Sequence, residues 1–502
     1  LGLGFGIIGY SVFFLAVFQQ IRSVLITILI ILISLLSIRG WIFHLRLREK
    51  QSKSIVINNR SKYEIFSGLL LIIILLSSFV MSLTPDPGKD ALIYHLAVPK
   101  LFIREKGFYF IPGNIFSNYP LLNEMLFLLA LFIKNEILAK GLHFIALLAI
   151  LLGMWLTFRL RIVSNGYPLT SLLIFCSIPS VFFVSHLAYI DLFVTYYTLA
   201  VLLSFFLWKE EGSQGYLILF GIFSGLALSS KYTTLMLPLL GCLGILWSSL
   251  HNQIPIRRKV KNLYLYLILT LSIGFPFYIK NWIMTGNPLY PFFYDIFGGR
   301  GWDADQARLY EFFVSSLGMG KSIPDFLMLP WNLSFKAEIG SPKFDGILGP
   351  IFFFTLPFLM GTRPVGLSVK VLLIFCAITF LFWATSAQQI RYLMNIFPIL
   401  ALLSGFILTR YEIKKYIWPI LFGMILGGVI YNSYYIIKEF LEVKPIKIII
   451  GLESRDEFLK RRYPSYSIIN YCNKYLPDNS KIFLIYMKNL GYFFEKKYYS
   501  DS

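Results

Sequence analysis

The sequence predicts an all-α polytopic membrane protein of about thirteen transmembrane helices, closed by a small C-terminal α/β extension. Three observations predict it. Hydrophobic residues make up 57% of the 502 positions and charged residues only 14%, where a soluble domain carries about 25% charged residues. Apolar runs of about 17–25 residues, the length of a helix that crosses a bilayer, recur along most of the chain. Lysine and arginine gather in short loops at alternate junctions, the mark of the cytoplasmic side. The net charge of +20 therefore reads as inner-loop bias and not as a nucleic-acid surface.

The runs near 1–18, 22–38 and 64–82 open the chain. Arg39, Arg46, Arg48, Lys50, Lys53, Arg60 and Lys62 lie between the second and third, so the N-terminus is placed inside and the segment after residue 82 outside. Leu121 to Ile133 is too short to span and reads as a juxtamembrane helix; the run 138–158 returns to the inner Arg159 and Arg161. A span near 168–187 leads outward to His186 and Asp191, and 191–207 leads back to Lys209. The run 216–249 is twice one helix in length, with Lys231 at its midpoint, so it reads as two spans joined by an outer turn, SSKYTT. Arg257, Arg258, Lys259 and Lys261 are again inside. A span near 263–279 then leads to a long outer segment, 280–346, whose aromatic start is assigned to the interfacial belt. Four spans follow, near 347–361, 369–386, 393–409 and 416–434, with Arg363, Lys370, Arg410, Lys414 and Lys415 in the inner loops. The domains are thus a transmembrane unit, 1–434, with a first outer loop at 83–137, and an extracytoplasmic tail, 435–502, which reads as an incomplete α/β unit with a helix-like SYSIINYCNKYLP and a strand-like KIFLIYM.

Ionisable residues at membrane depth are costly and tend to mark function, and this topology brings several to one outer level. The first outer loop contributes Asp86, Asp90, His95, Lys100 and Arg104; later loops contribute His186, Asp191, Lys231, Lys280 and Arg391. Acids among cations suit a substrate with a phosphate beside a reactive carbon, because Arg and Lys hold phosphate oxygens while a carboxylate orients or deprotonates a hydroxyl, or holds a divalent cation. Each residue also has a plainer reading. Asp86 in TPDPG is a turn residue; Asp90 and Asp191 sit where helix caps sit; His95 and His186 fit interfacial structural roles. Lys231 can snorkel to headgroups, and Lys100, Arg104 and Lys106 can face anionic lipid. The four cysteines, Cys176, Cys242, Cys376 and Cys472, are far apart and form no metal-ligand or disulfide pattern.

The stretch DALIYHLAVPKLFI…PGNIFSNYPLLNEMLFLLAL, from Asp90, resembles the first outer loop of the GT-C-type, polyprenyl-phosphate-dependent glycosyltransferases, a superfamily that includes the protein O-mannosyltransferases and the bacterial lipid A aminoarabinose transferase. HLAYIDLFVTYYTLA, GLALSSKYTTLMLP, FYIKNWIMTGNPLYPF and QQIRYLMNIFPILALL follow in the family's order, so that the resemblance covers about 64–410. It implies a GT-C-like fold with an outward-facing catalytic loop. It implies that Asp90 and Asp191 are the catalytic acids or metal ligands, that Lys231 lies near the carrier phosphate, and that Arg391 faces the lipid donor. Tyr94 and His95 are assigned to substrate binding with them. One departure stands out. The aminoarabinose transferase has Glu-Lys-Pro where this chain reads Asn118-Tyr119-Pro120, which removes a metal-ligand Glu and a phosphate-binding Lys, with Glu124 the nearest substitute.

The expected function is transfer of a sugar from a polyprenyl-phosphate donor to a lipid, glycan or protein acceptor at the outer face of the cytoplasmic membrane, with inversion and with a possible divalent metal ion. The active site and C-terminus are expected outside, among membrane lipids and without nucleic acid. A lipid-linked oligosaccharide flippase or secondary transporter is the alternative; it would bury charge at mid-membrane and show internal repeats. A non-catalytic assembly protein is a third reading, which sugar transfer in membranes separates from the first.

Overall fold

The computed structural model describes residues 1–50, 62–163, 166–251, 255–362, 365–411 and 416–500. Lys53, Arg60, Arg363, Lys414 and Lys415 of the inner clusters lie outside the described residues. Among the described residues, six helices are long and apolar enough to cross a membrane, or eight if each of two bent pairs is one crossing. The protein is a multi-pass membrane protein. The expected thirteen spans are not matched one for one by full-length helices: the runs 1–18, 216–249 and 347–361 form shorter apolar helices of 10–17 residues, less than the ~30 Å of a hydrocarbon core, while the run 22–38 lies in the 28-residue helix Ser23–Lys50.

Burial sorts the helices. In the helix Asp191–Glu211, 83% of the most apolar window is buried inside the protein, against 33% for Lys62–Ser82 and Ile417–Val443. The first is the central post; the other two leave most of their apolar side chains facing outward, as a lipid-facing helix does. Asp191–Glu211 packs between Glu136–Arg159 and Gln214–Leu228, and the latter packs on Ile256–Gly274. Pro168–Ser177 is gripped by Lys62–Ser82 and by Phe397–Tyr411.

Two proline breaks shape the outer end. Ile178, before Pro179, is extended, and the helices Pro168–Ser177 and Pro179–Ser185 meet at 75°, as expected where proline disfavours helix in the preceding residue. Ile256–Gly274 bends by 46° into Pro276–Thr285, because Pro276 supplies no N–H to the helical ladder. Leu122–Ile133 is a twelve-residue helix packed on Gly2–Val17, short of a full span as its length predicts.

Beyond Val443 the chain forms the helices Arg455–Arg462 and Tyr466–Tyr475 and two strands, Lys481–Leu484 and Lys497–Ser500, paired in parallel with Lys481 opposite Lys497. Lys100 and Arg104 do not face lipid. Lys100 donates to the carbonyls of Tyr492 (2.7 Å) and Phe494 (3.2 Å), and Arg104 to those of Phe494 (3.0 Å) and Glu495 (2.8 Å). Extended backbone offers free carbonyls, and these two cations satisfy them by clamping the tail to the first outer loop. Arg455 lies 2.5 Å from the buried Glu136, and Tyr492 donates to the same carboxylate at 3.2 Å.

Candidate active site

Asp86 is the turn residue expected, and it also ties two loops together. Its carboxylate accepts from the N–H of Gly88 (2.7 Å) and of Ala188 (2.6 Å). Burial pushes its pKa up, while Lys140 and the two amides oppose this. The fully buried Lys140 ammonium donates to the carbonyls of Thr84 (2.7 Å) and Met81 (3.2 Å) and so fixes the end of the preceding helix.

Asp90 enters a widened helical turn, Ala91–His95, a form that recurs at functional sites. The turn brings Tyr94 under the carboxylate, with its hydroxyl 3.4 Å from Oδ2. Arg391 reaches the same oxygen from 301 residues away, with Nη1 at 2.5 Å. Its Nε donates to Gln389 (3.2 Å), and its guanidinium lies over the rings of Tyr189 and Tyr392. Burial raises the Asp90 pKa, but Arg391, with His95 and Lys89, outweighs it and holds the carboxyl below its ordinary value.

Asp191 is the first residue of the central helix, 2% exposed at its side chain, and Lys231 Nζ lies 2.6 Å from its Oδ1. Its buried Oδ2 has no partner among the described residues. Lys231 arrives because GLALSS ends one helix tightly. Gly221 and Gly225 let this helix close on Ile256–Gly274: a Cβ at Gly225 would come within 2.7 Å of Ile273 Cβ. The Ser229 hydroxyl then donates to the carbonyl of Gly225 or Ile273, and the Leu122 N–H donates to the Ser229 carbonyl. The Lys231 ammonium also sits 4.5 Å above the Tyr392 ring. Tyr392 thus stands between the two carboxylate–cation pairs.

Aromatic side chains wall the site. Tyr94 stacks on Phe116 at 4.6 Å; Tyr119 packs against Tyr232 and Phe292, and its hydroxyl lies 2.9 Å from that of Tyr310 on the outer helix Ala304–Ser316. The expected aromatic belt therefore divides. Tyr278 and Phe292 pack against Tyr232, whose hydroxyl donates to the Tyr290 carbonyl, and the Tyr290 ring is buried against Trp302, while Trp282 and Phe293 remain exposed. His95 bonds through Nδ1 to Glu124 Oε1 at 2.8 Å, both side chains 1% exposed. Lys280 lies beneath the loop, donating to the carbonyl of Ser117 at 2.9 Å. His186 takes no part: its Nδ1 bonds the Phe182 carbonyl at 2.9 Å within its own helix.

The arrangement favours an anion. Two cations, each neutralised by one carboxylate, flank one tyrosine, and both can turn to a phosphate with charge-assisted hydrogen bonds. Arg391 takes Oδ2 of Asp90 and Lys231 takes Oδ1 of Asp191, so the second oxygen of each carboxylate is what would hold a divalent ion. Among the described residues no group of three or more His, Cys, Asp or Glu side chains is arranged to hold a metal. Glu124, weighed as a substitute ligand, is engaged by His95.

A family model described as "Domain of unknown function (DUF8201)" matches residues 3–398. The chain belongs to that family. A search among curated proteins returns no match. Among solved structures the chain is similar to ArnT from Cupriavidus metallidurans bound to undecaprenyl phosphate, with a TM-score of 0.54 at 14% identity over 86% of this chain and 85% of that one. The same protein in the apo state gives 0.50 at 14% identity, with the same coverage. The likeness is one of fold, and it bears out the GT-C-like architecture that the outer-loop motifs imply.

Proposed function

We propose that the protein is an integral-membrane glycosyltransferase that moves one sugar from a polyprenyl-phosphate donor to a lipid, glycan or protein acceptor at the outer face of the cytoplasmic membrane. The observation that carries this reading is the meeting of Asp90–Arg391 and Asp191–Lys231 around Tyr392. It is supported by a fold similar to that of a protein bound to undecaprenyl phosphate. On this reading Lys231 and Arg391 turn from their carboxylates to the donor phosphate and stabilise the charge that grows on it as the sugar leaves. Asp90, released from Arg391, orients the acceptor hydroxyl toward the anomeric carbon, and Asp191 keeps Lys231 in place between turnovers. Attack from the face opposite the phosphate inverts the anomeric centre. The basic clusters support an orientation with the N-terminus in the cytoplasm and the site and C-terminal tail outside.

The test uses the purified full chain in lipid nanodiscs. Undecaprenyl phosphate should raise its unfolding temperature, and Lys231→Ala with Arg391→Ala should remove that shift. Asp90→Asn should abolish turnover of radiolabelled polyprenyl-phosphate sugars in membranes while the protein still inserts; near-normal turnover refutes the assignment. Reporter fusions that place Asp90, Asp191 or Lys231 on the cytoplasmic side would dismantle the shared site.

A further inference from the structure

The histidines of this chain are not alike. His143 is satisfied on both sides: Nδ1 meets the Leu187 carbonyl at 2.9 Å, and Nε2 accepts from the Leu192 N–H at 3.1 Å. That is a structural histidine with its tautomer fixed by backbone. His95 is satisfied on one side only. Its Nδ1 is engaged by Glu124 at 2.8 Å, which makes Nδ1 the protonated nitrogen, and its buried Nε2 has no partner among the described residues. Burying an unpaired ring nitrogen costs stability, so the atom calls for a ligand.

The place suggests which ligand. His95 closes the turn that begins at Asp90, its ring centroid lies 3.9 Å from that of Tyr94 and 5.4 Å from that of Tyr189, and it acts electrostatically on both Asp90 and Asp191. Asp90, at the start of the turn, orients the acceptor hydroxyl on the transferase reading, which leaves the proton itself to a second group on that turn. His95 has the Glu124 carboxylate on Nδ1, which fixes the ring and leaves Nε2 as its acceptor nitrogen.

We propose that His95, held by Glu124, is the general base of the transfer, taking the acceptor's hydroxyl proton on Nε2. This rests on the transferase reading above and deepens it by assigning the acceptor as an alcohol. The acceptor O–H bond breaks with its proton passing to Nε2, the oxygen forms the new bond to the anomeric carbon, and the bond to the phosphate oxygen breaks with its electron pair leaving on phosphate. The imidazolium pairs with the Glu124 carboxylate until product leaves. Asp90 and Tyr94 on the same turn, Glu124 on Leu122–Ile133, His143 on Glu136–Arg159, Tyr189 and Asp191 beyond the bent pair, and Arg391 are the titratable and charged groups around it; Lys280 lies within electrostatic reach of Glu124.

The experiment is the pH profile of kcat for radiolabelled polyprenyl-phosphate sugar in nanodisc-held wild type, His95→Asn and Glu124→Gln. Wild type should lose turnover on the acid side as Nε2 protonates. His95→Asn should cut kcat by about 10²–10⁴-fold, leave donor KM within about threefold, and erase the acid limb. Glu124→Gln keeps a partner on Nδ1 but loses the carboxylate that balances the ring's charge once it has taken the proton, so kcat should fall about tenfold with donor KM within about threefold. Turnover of His95→Asn within threefold of wild type overturns the proposal, and so does turnover of Glu124→Gln within threefold of wild type, which decides the matter if His95→Asn does not fold. A wild type that neither turns over any such donor nor is stabilised by undecaprenyl phosphate refutes the transferase reading itself. A stabilised, active wild type with insensitive variants refutes only the base.

Discussion

Lys231→Met separates what the Asp191–Lys231 pair does for stability from what it does for chemistry. At 2.6 Å and an effective dielectric near 20, the attraction is roughly 6 kcal/mol, and the loss of hydration, several kcal/mol per ion, offsets most of it. The intact pair is therefore nearly neutral, but its halves are not. Asp191 is 2% exposed at its side chain, so deleting Lys231 strands a buried carboxylate at a cost of about 3–5 kcal/mol. Asp191→Asn should cost less, because Lys231 is 15% exposed and keeps the Tyr392 ring beneath it, a contact of about 0.5–2 kcal/mol. The double variant, Asp191→Asn with Lys231→Met, should return to within about 2 kcal/mol of wild type. Unfolding in lipid nanodiscs, followed by intrinsic fluorescence, gives the order of the four proteins. A Lys231→Met protein as stable as wild type, or a double variant no better than Lys231→Met, would refute the electrostatic argument. Turnover that returns with stability in the double variant would show that Lys231 does not hold the phosphate.

Three further outcomes follow from the geometry. The Asp90 carboxyl lies below its ordinary value in the folded protein, so its pair with Arg391 adds stability above the unfolded value of about 3.9 and loses it as pH falls through the folded value. The stability gap between wild type and Asp90→Asn should then be flat from pH 8 to 5 and shrink below about pH 4 in thermal melts. Gly225→Val drives a side chain into Ile273 and the Thr270 carbonyl and should cost about 1–3 kcal/mol, while Gly423→Ala, with nothing within 4 Å of the new methyl, should be neutral in the same melts. Arg455→Ala removes the cation beside Glu136, which is 1% exposed, and should loosen the tail, seen as faster limited proteolysis beyond Val443 with the membrane unit intact.

Charge bias and hydropathy carried the chain far. Lysine and arginine at alternate junctions fixed which loops share a face, and that is enough to bring Asp90, Asp191, Lys231 and Arg391 together without knowing a single contact. Pairing was not legible. Arg391 meets Asp90 across 301 residues, and nothing local distinguishes that match from Arg391 with Asp191. The clamp on the tail was misread for a different reason: Lys100 and Arg104 look like headgroup ligands because the carbonyls they satisfy belong to backbone, which sequence does not display. The inward aromatics were hidden similarly. Tyr290 and Trp282 stand in one aromatic run, but one is buried and the other exposed, a distinction set by the 46° break at Pro276 and the fold of the outer segment.

On the transferase reading proposed above, the two carboxylate–cation pairs would keep cations ready at a buried site. A lone Lys231 or Arg391 there would be expelled or would draw the loop open, since an unpaired buried charge is costly. Asp191 and Asp90 prevent this by lending each cation a partner that a phosphate can replace, so binding exchanges one set of charge-assisted bonds for another. The exchange has a consequence for the acids. Once Arg391 turns to phosphate, Asp90 loses the group that depresses its pKa and becomes a stronger hydrogen-bond acceptor for the incoming hydroxyl. On that reading, donor binding prepares the acceptor side. An enzyme built this way should bind acceptor more tightly after donor, and Arg391→Lys, which keeps charge but loses the fork that spans carboxylate and ring, should weaken that order of binding more than it weakens donor affinity.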